Sequence, residues 1–269
     1  MTDTKRYEEA DVKLSDRLSA LAECVPEGAR FADIGTDHAL LPVHLARSGK
    51  VPFAVAGDVH KGPVEAARRQ VAAAGLTGKV SVRHGDGLTV LEPGEVDAVC
   101  IAGMGGSLMV RLLEAAGARL DAVHTLILSP HVAEDQVRRW LIERSYVLDR
   151  ERLVEEDGET YTILRAVRAG KEEADRRNAE LYDSGLLAPC VPAIARPLLE
   201  LMGPLLLRGA DGAFGRKWEA EIAKREHILG QLRRSTAEEA ARKASEWEET
   251  IRTLKEVLAC WRAERRSSN

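Results

Sequence analysis

Between Arg30 and Arg168 the chain alternates five short apolar runs with amphipathic stretches, and then the alternation stops. The runs Ala29–Ile34, Phe53–Gly57, Val80–Arg83, Asp97–Ala102 and Thr125–Leu128 are short, apolar and bounded by Gly, Asp or Pro, as buried strands are. Between them lie the helical patterns Pro42–Ser48, Pro63–Ala74, Ser107–Ala116 and Glu134–Arg144. Strands that alternate with helices predict a parallel sheet covered on both faces. Tyr146–Val154 and Thr160–Val167 come next with no helix between them, joined by Glu155–Glu159, and read as a hairpin. The expected fold is therefore α/β and Rossmann-like: five β/α units closed by an antiparallel hairpin.

The rest of the chain reads differently, and we expect a division into a catalytic domain (1–170) and a helical C-terminal domain (171–269). Asp175–Leu187 reads as a helix entering the second part, and Pro189, Pro192, Pro197 and Pro204 break the next stretch into short pieces. From Arg216 the pattern is helical again, with Trp218, Ile222, Leu229 and Leu232 on one face and Arg225 interrupting it. Ser235 and Thr236 each have a Glu three residues later, Glu238 and Glu239, the spacing of a capping box. The next helix carries a seam of Trp247, Ile251, Leu254, Leu258 and Trp261, spaced as in a coiled coil. Two such helices with one break predict an antiparallel helical hairpin.

Charge narrows the partners without naming one. The chain carries 39 Lys and Arg against 43 Asp and Glu, a net charge of −4. Residues 1–170 hold 21 basic against 26 acidic groups, and residues 171–269 hold 18 against 17. Any contact with nucleic acid must rest on a local patch. No apolar run reaches the roughly 20 residues of a membrane span, and Met1–Asp11 has no signal-peptide pattern. A cytoplasmic protein is expected. Cys24, Cys100, Cys190 and Cys260 lie far apart without a C-x-x-C pair, so no metal site and four reduced thiols are expected.

The chemistry concentrates where the strands end. The first strand closes on Asp33-Ile34-Gly35-Thr36-Asp37-His38-Ala39, and ligands of open α/β sheets sit beyond the carboxyl ends of the strands. Gly35 lets the backbone approach a cofactor. Asp37 and Ala39 stand where an acid-x-Gly-x-Gly-x-Gly motif has its second and third glycines, and no G-x-G-x-x-G pyrophosphate cradle is present. Asp58 ends the second strand, 25 residues after Asp33, where a carboxylate accepts from both hydroxyls of a ribose. Asp86, with Gly87, follows the third strand, placed to accept from an adenine amino group. The fourth strand ends in Gly103-Met104-Gly105-Gly106, which strips side-chain bulk from that edge. Three acids at successive strand ends, with no phosphate cradle, point to S-adenosylmethionine and to a class I methyltransferase.

Together these residues resemble the bacterial tRNA (adenine-22-N1)-methyltransferase family (TrmK). The matching pieces are Leu14-Ser15-x-Arg17-Leu18, Ala32-Asp33-Ile34-Gly35-Thr36-Asp37-His38-Ala39-x-Leu41-Pro42, Ala56-Gly57-Asp58-Val59 with Gly62-Pro63, Val82-Arg83-x-Gly85-Asp86-Gly87-Leu88 and Ile101-Ala102-Gly103-Met104-Gly105-Gly106. Arg139-Trp140-Leu141 and Gly203-Pro204-x-Leu206 extend the likeness over nearly the whole chain. Two places depart from it: Asp58 stands for a Glu, and Ser129-Pro130-His131 for a Gln-Pro-Asn in the loop that faces the target base.

The resemblance implies methyl transfer to N1 of adenine 22 in tRNA. N1 is neutral and attacks with an in-plane lone pair, so alignment is the main demand. The product ring is cationic, which a neighbouring carboxylate stabilises. Asp37 or His38 is expected to contact the exocyclic amine or that cation, and Met104 the cofactor or base. Arg17, on an N-terminal helix, is expected to pair with the methionine carboxylate. Arg208, Arg216, Lys217, Lys224, Arg225, Arg233 and Arg234 are candidates for the RNA backbone. Two other readings use the same scaffold: a small-molecule methyltransferase, and a cofactor-binding interaction protein without catalysis.

Overall fold

The computed structural model describes residues 14–209, 212–234 and 238–266. The capping-box residues Ser235 and Thr236 and the segment Met1–Asp11 lie outside the described residues. Seven strands form one sheet in the order β3-β2-β1-β4-β5-β7-β6. They are β1 (Phe31–Ile34), β2 (Ala54–Asp58), β3 (Val80–His84), β4 (Ala98–Met104), β5 (Thr125–Pro130), β6 (Tyr146–Glu156) and β7 (Glu159–Arg168). All five predicted parallel strands and the closing hairpin are present, and β6 pairs antiparallel with β7.

The chain divides into two compact units, and the cut falls within β4, after Ile101. The first unit holds α1 (Asp16–Cys24), α2 (Leu40–Arg47), α3 (Lys61–Ala73), β1 to β3 and the first half of β4. Its strands are parallel, with Asp33 in register with Ala56 and Cys100, and Asp58 with His84. All four residues of β1 are buried, which is why the strand reads as a continuous apolar run broken only by its acid. Ser15 caps α1 by accepting from the Leu18 amide at 3.3 Å.

The second unit joins the end of β4 to β5, β6 and β7 and to seven helices: α4 (Gly106–Ala115), α5 (Glu134–Glu143), α6 (Lys171–Leu181), α7 (Arg196–Met202), α8 (Pro204–Arg208), α9 (Gly212–Leu232) and α10 (Glu238–Arg266). The helix predicted over Asp175–Leu187 starts four residues earlier and stops at Leu181, short of the proline-rich stretch. The same unit holds a buried ion pair. Arg138 of α5 and Glu151 of β6 meet at 2.7 Å with side chains 1% and 0% exposed. Each partner also closes a helix end. Arg138 donates to the Glu200 and Leu201 carbonyls at the end of α7, and Glu151 accepts from the Leu205 and Leu206 amides that open α8. The α7–α8 junction is Gly203, with φ +91°, and a Cβ there would stand 2.7 Å from an Arg138 nitrogen. The Gly203-Pro204 pair is therefore set by an arginine 65 residues earlier in the chain.

The last two helices run antiparallel. Arg262 pairs with Glu219, Lys255 with Glu226 at 2.5 Å and Arg233 with Glu248 at 2.8 Å. Each step is seven residues forward on one helix and seven back on the other, the repeat of a coiled-coil flank. Within the seam Ile251, Leu254, Leu258 and Trp261 are buried, and Trp261 stacks at a tilt on Phe214, ring centres 4.8 Å apart. Arg225, which breaks the apolar face of α9, lies over the Trp247 ring at 5.8 Å. The cysteines correct an expectation: Cys24 and Cys100 are free and buried, but Cys190 and Cys260 are joined in a disulfide across 70 residues of sequence. Spacing alone does not reveal it, because the pairing depends on how the segment before α7 lies on α10.

Candidate functional site

In the first unit the strand-end acids have distinct settings. Asp33 is buried, and its carboxylate accepts from the Thr36 hydroxyl at 2.7 Å. Burial pushes its pKa up to about 6, while the Thr36 hydroxyl, the Cys100 thiol and the Arg17 charge pull it down and the Asp58 charge pushes it up. The same pocket drives the Cys100 thiol well up, through burial first and then the Asp33 charge. Arg17, half-buried on α1, thus acts electrostatically on the β1 acid. Asp58 ends β2 and accepts from the His60 amide at 2.7 Å, which turns the chain out of the strand and leaves Val59 exposed. Asp86 is exposed beside Gly87, and its carbonyl accepts from Thr89, which folds the next residues into a single 3-10 turn.

The loop after β1 is the most unusual backbone of this unit. Gly35, His38 and Ala39 all have positive φ, at 77°, 57° and 53°. Two consecutive non-glycine residues in the left-handed region carry a strain of order 1–3 kcal/mol each, which this loop bears at His38 and at Ala39, the position of the motif's third glycine. The outcome is to present Asp37 and His38 to solvent, 82% and 59% exposed, with their side chains 3.3 Å apart. Neither caps α2, whose N-cap position is the apolar Ala39. Thr36 and Cys100 were not singled out in the sequence. Thr36 could have been, three residues after Asp33, but Cys100 needs the strand register.

The second unit contains the end of β4. Gly103 has φ +78° and Met104 is half-exposed. The Met104 carbonyl accepts from the His131 amide at 3.0 Å, and the Gly106 amide donates to the Val132 carbonyl at 2.9 Å. A Cβ on Gly106 would stand 2.9 Å from the Val132 oxygen, so this glycine is required by the close passage of residues 132–133. Leu108 and Val132 are left as exposed apolar side chains. The loop after β5 separates its two polar residues. Ser129 is buried near the end of β5 with no hydrogen-bond partner for its hydroxyl. His131 is exposed and packs edge-on against Tyr161, ring centres 5.6 Å apart.

The basic residues of the C-terminal helices are mostly engaged. Lys217 is drawn inward, pairing with Glu134 at 2.6 Å and reaching the Thr162 hydroxyl at the same distance, so it is no surface contact for RNA. Arg216 pairs with Glu155, Arg233 with Glu248, and Arg208 donates to the Glu180 carbonyl. Lys224 and Arg234 are exposed. Among the described residues no group of acids, histidines and cysteines is placed to hold a metal, and no helix is long and apolar enough to cross a membrane.

An open parallel sheet closed by an antiparallel hairpin, with an acid at each of three strand ends, defines a methyltransferase, and residues 14–164 match the family described as Methyltransferase domain. Relatives that span the whole length sharpen the class. The chain is 38% identical over 249 residues to the tRNA (adenine(22)-N(1))-methyltransferase of Bacillus subtilis, covering 92% of this chain and 98% of that protein. The crystal structure of the B. subtilis enzyme, TrmK, superposes with a TM-score of 0.80 at 36% identity, over 92% of this chain and 99% of that one. A Streptococcus pneumoniae structure described as a putative tRNA (m1A22) methyltransferase, solved in complex with S-adenosyl-L-methionine, matches at TM-score 0.73 and 31% identity, over 91% and 100%. The chain belongs to the tRNA (adenine(22)-N(1))-methyltransferase family.

Proposed function

We propose that the chain transfers a methyl group from S-adenosylmethionine to N1 of adenine 22 in tRNA, in the cytoplasm. The observation that carries this is the likeness to the B. subtilis enzyme along 92% of the chain, helical extension included. The donor set agrees with the cofactor. The Asp58 carboxylate keeps an oxygen beyond its bond to the His60 amide, and Asp86 is exposed next to a glycine. Both suit a ligand that offers hydroxyls and an amine and has no phosphate. When bound, S-adenosylmethionine supplies an electrophilic methyl on a sulfonium.

Each candidate has a task on this reading. Asp58 accepts from the ribose hydroxyls, and Asp86, with Gly87 leaving room, from the adenine amine. Arg17 meets the methionine carboxylate. Asp33 holds Thr36 and with it the turn at Gly35. Gly103 keeps the end of β4 free of a side chain, and Met104 borders the reacting groups. Asp37, with His38 beside it, takes a hydrogen bond from the exocyclic amine of the target adenine and lowers the energy of the cation formed at N1. No group need remove a proton before attack, so the protein's contribution is alignment and charge. N1 lies on the pairing edge, so the adenine must leave its pair. Residues 1–170 form the catalytic domain and residues 171–269 the domain that holds RNA.

Asp37→Ala tests the site. It is expected to lower kcat by about two orders of magnitude, a loss typical of one preorganised electrostatic contact, with S-adenosylmethionine affinity unchanged by calorimetry. Full turnover in this variant removes Asp37 from the chemistry.

A further inference from the structure

The row of side chains through Asp33 contains one proton donor. Residues in register on neighbouring strands share a face of the sheet, and this row runs from Ala56 on β2 through Asp33 on β1 to Cys100 on β4. Ala56 and Cys100 are wholly buried, and of the two only the cysteine has a proton to give. Burial first, and then the Asp33 charge, drive the thiol pKa well up, so the sulfur keeps that proton. The thiol hydrogen-bonds the Asp33 carboxylate from within the sheet, and the Thr36 hydroxyl does so from the loop at 2.7 Å. Thr36 is buried too, and its amide and the Gly35 amide both donate to the Gly57 carbonyl, at 3.0 and 2.9 Å. A chain of hydrogen bonds thus runs from Cys100 through Asp33 and Thr36 to the residue before Asp58.

The direction of these bonds depends on the charge of Asp33. An ionised carboxylate only accepts, which suits a thiol and a hydroxyl that both donate. A protonated Asp33 has an O–H of its own, and one neighbour must then turn to accept it. Sulfur is a weak acceptor, so Thr36 is the neighbour that turns, and the loop loses its tie. Burial opposes ionisation most and pushes the Asp33 pKa up to about 6; the Thr36 and Cys100 hydrogen bonds favour the charge, Asp58 on β2 opposes it and Arg17 on α1 favours it. Cys24 of α1 acts in turn on the Cys100 thiol. A thiol is a weak donor, but in a buried site even a weak donor counts.

We propose that Cys100 is a positioning residue for S-adenosylmethionine binding: its thiol, donating to Asp33, holds the Thr36 turn in the form that receives the cofactor. This role rests on the cofactor reading above and deepens it. Cys100 touches neither cofactor nor base, and acts through Asp33 and Thr36.

Cys100→Ala and Cys100→Val remove the donor, the valine at nearly the volume of the native side chain, while Cys100→Ser keeps one. S-adenosylmethionine affinity is measured by calorimetry from about pH 5 to about pH 8.5. The Asp33 carboxyl is followed in cofactor-free protein by carbon-13 NMR, with Asp33→Asn assigning its signal. Wild-type affinity is expected to be level above about pH 7 and to weaken as pH falls through about 6, by up to about tenfold per pH unit. In the alanine and valine variants the affinity midpoint and the Asp33 titration are expected to move up together by about half a pH unit, the scale of one lost hydrogen bond. Their affinity at the alkaline end is expected to stay within about twofold of wild type, as full ionisation there restores the turn. Cys100→Ser is expected to bring both midpoints back to the wild-type value or lower, because a hydroxyl is the stronger donor. Affinity lost by one factor at every pH, with the Asp33 titration unmoved, is the mark of packing alone and overturns the proposal. A serine variant that behaves like alanine overturns it as well. Wild-type protein that binds no S-adenosylmethionine at any pH is a separate outcome: it overturns the proposed function and with it this role.

Discussion

Asp33 is held under strain of an electrostatic kind. Its folded pKa is about 6, against 3.8 in an open chain, and burial is the main cause. Between pH 4 and 6 the folded protein keeps a proton that the unfolded chain has lost. This group therefore makes stability fall as pH rises through that window, and above pH 6 the penalty is constant. Asp33→Asn removes it. The variant is expected to be more stable than wild type at pH 8, by roughly 2–3 kcal/mol, since each pH unit between the two pKa values is worth about 1.4 kcal/mol. Below pH 4 it is expected to match wild type, and it should lose cofactor affinity at both. Urea melts at pH 3.5 and 8 check the first part; equal stability gains at the two pH values would contradict it. Asp33 itself was legible from its place at the end of an apolar run. Its partner Cys100 was not, because a register across two strands is invisible in one of them. The replaced glycine positions were legible too, but not the backbone around them, which is left-handed at His38 and Ala39 and holds Asp37 and His38 in solvent.

At the scale of elements, the hairpin of β6 and β7 with α5, α7 and α8 depends on one charge pair. Arg138 and Glu151 close the ends of α7 and α8 as well as each other. Breaking a buried pair by removing one partner costs about 3–5 kcal/mol, whereas replacing both with apolar groups is often neutral. Arg138→Met is expected to lose that amount in thermal or urea unfolding, and Arg138→Met/Glu151→Leu to regain most of it. Gly203→Ala is expected to destabilise by about 3 kcal/mol, from a strained φ and a Cβ pressed on the arginine; a loss under about 1 kcal/mol would contradict the crowding. The hairpin strands and α5 were legible from periodicity, to within a few residues at the ends, whereas α7 and α8 were read only as short pieces between prolines. The ion pair was not, since Arg138 sits on an amphipathic helix among other arginines, and nothing local marks it as the buried one. Lys217 misled for the same reason: a basic run on a helix looks solvated until another element supplies Glu134.

At the scale of the molecule, order along the chain was enough to read the sheet and the helical hairpin. The seam from Trp247 to Trp261 was visible because packing repeats every seven residues. The flanking pairs of Arg262 with Glu219, Lys255 with Glu226 and Arg233 with Glu248 keep the same step. The disulfide was invisible, since it joins a segment without periodicity to a helix. Thiol titration of the denatured, unreduced protein is expected to count two thiols, Cys24 and Cys100; titration of all four cysteines would show Cys190 and Cys260 to be unpaired. Activity, cofactor and substrate meet in one measurement. The protein is incubated with methyl-labelled S-adenosylmethionine and a tRNA bearing adenine at position 22, and the RNA is digested to nucleosides. The expected label is in 1-methyladenosine, and it disappears when position 22 is changed to guanine. Label in any other nucleoside, or cofactor binding with no transfer to RNA, would contradict the account.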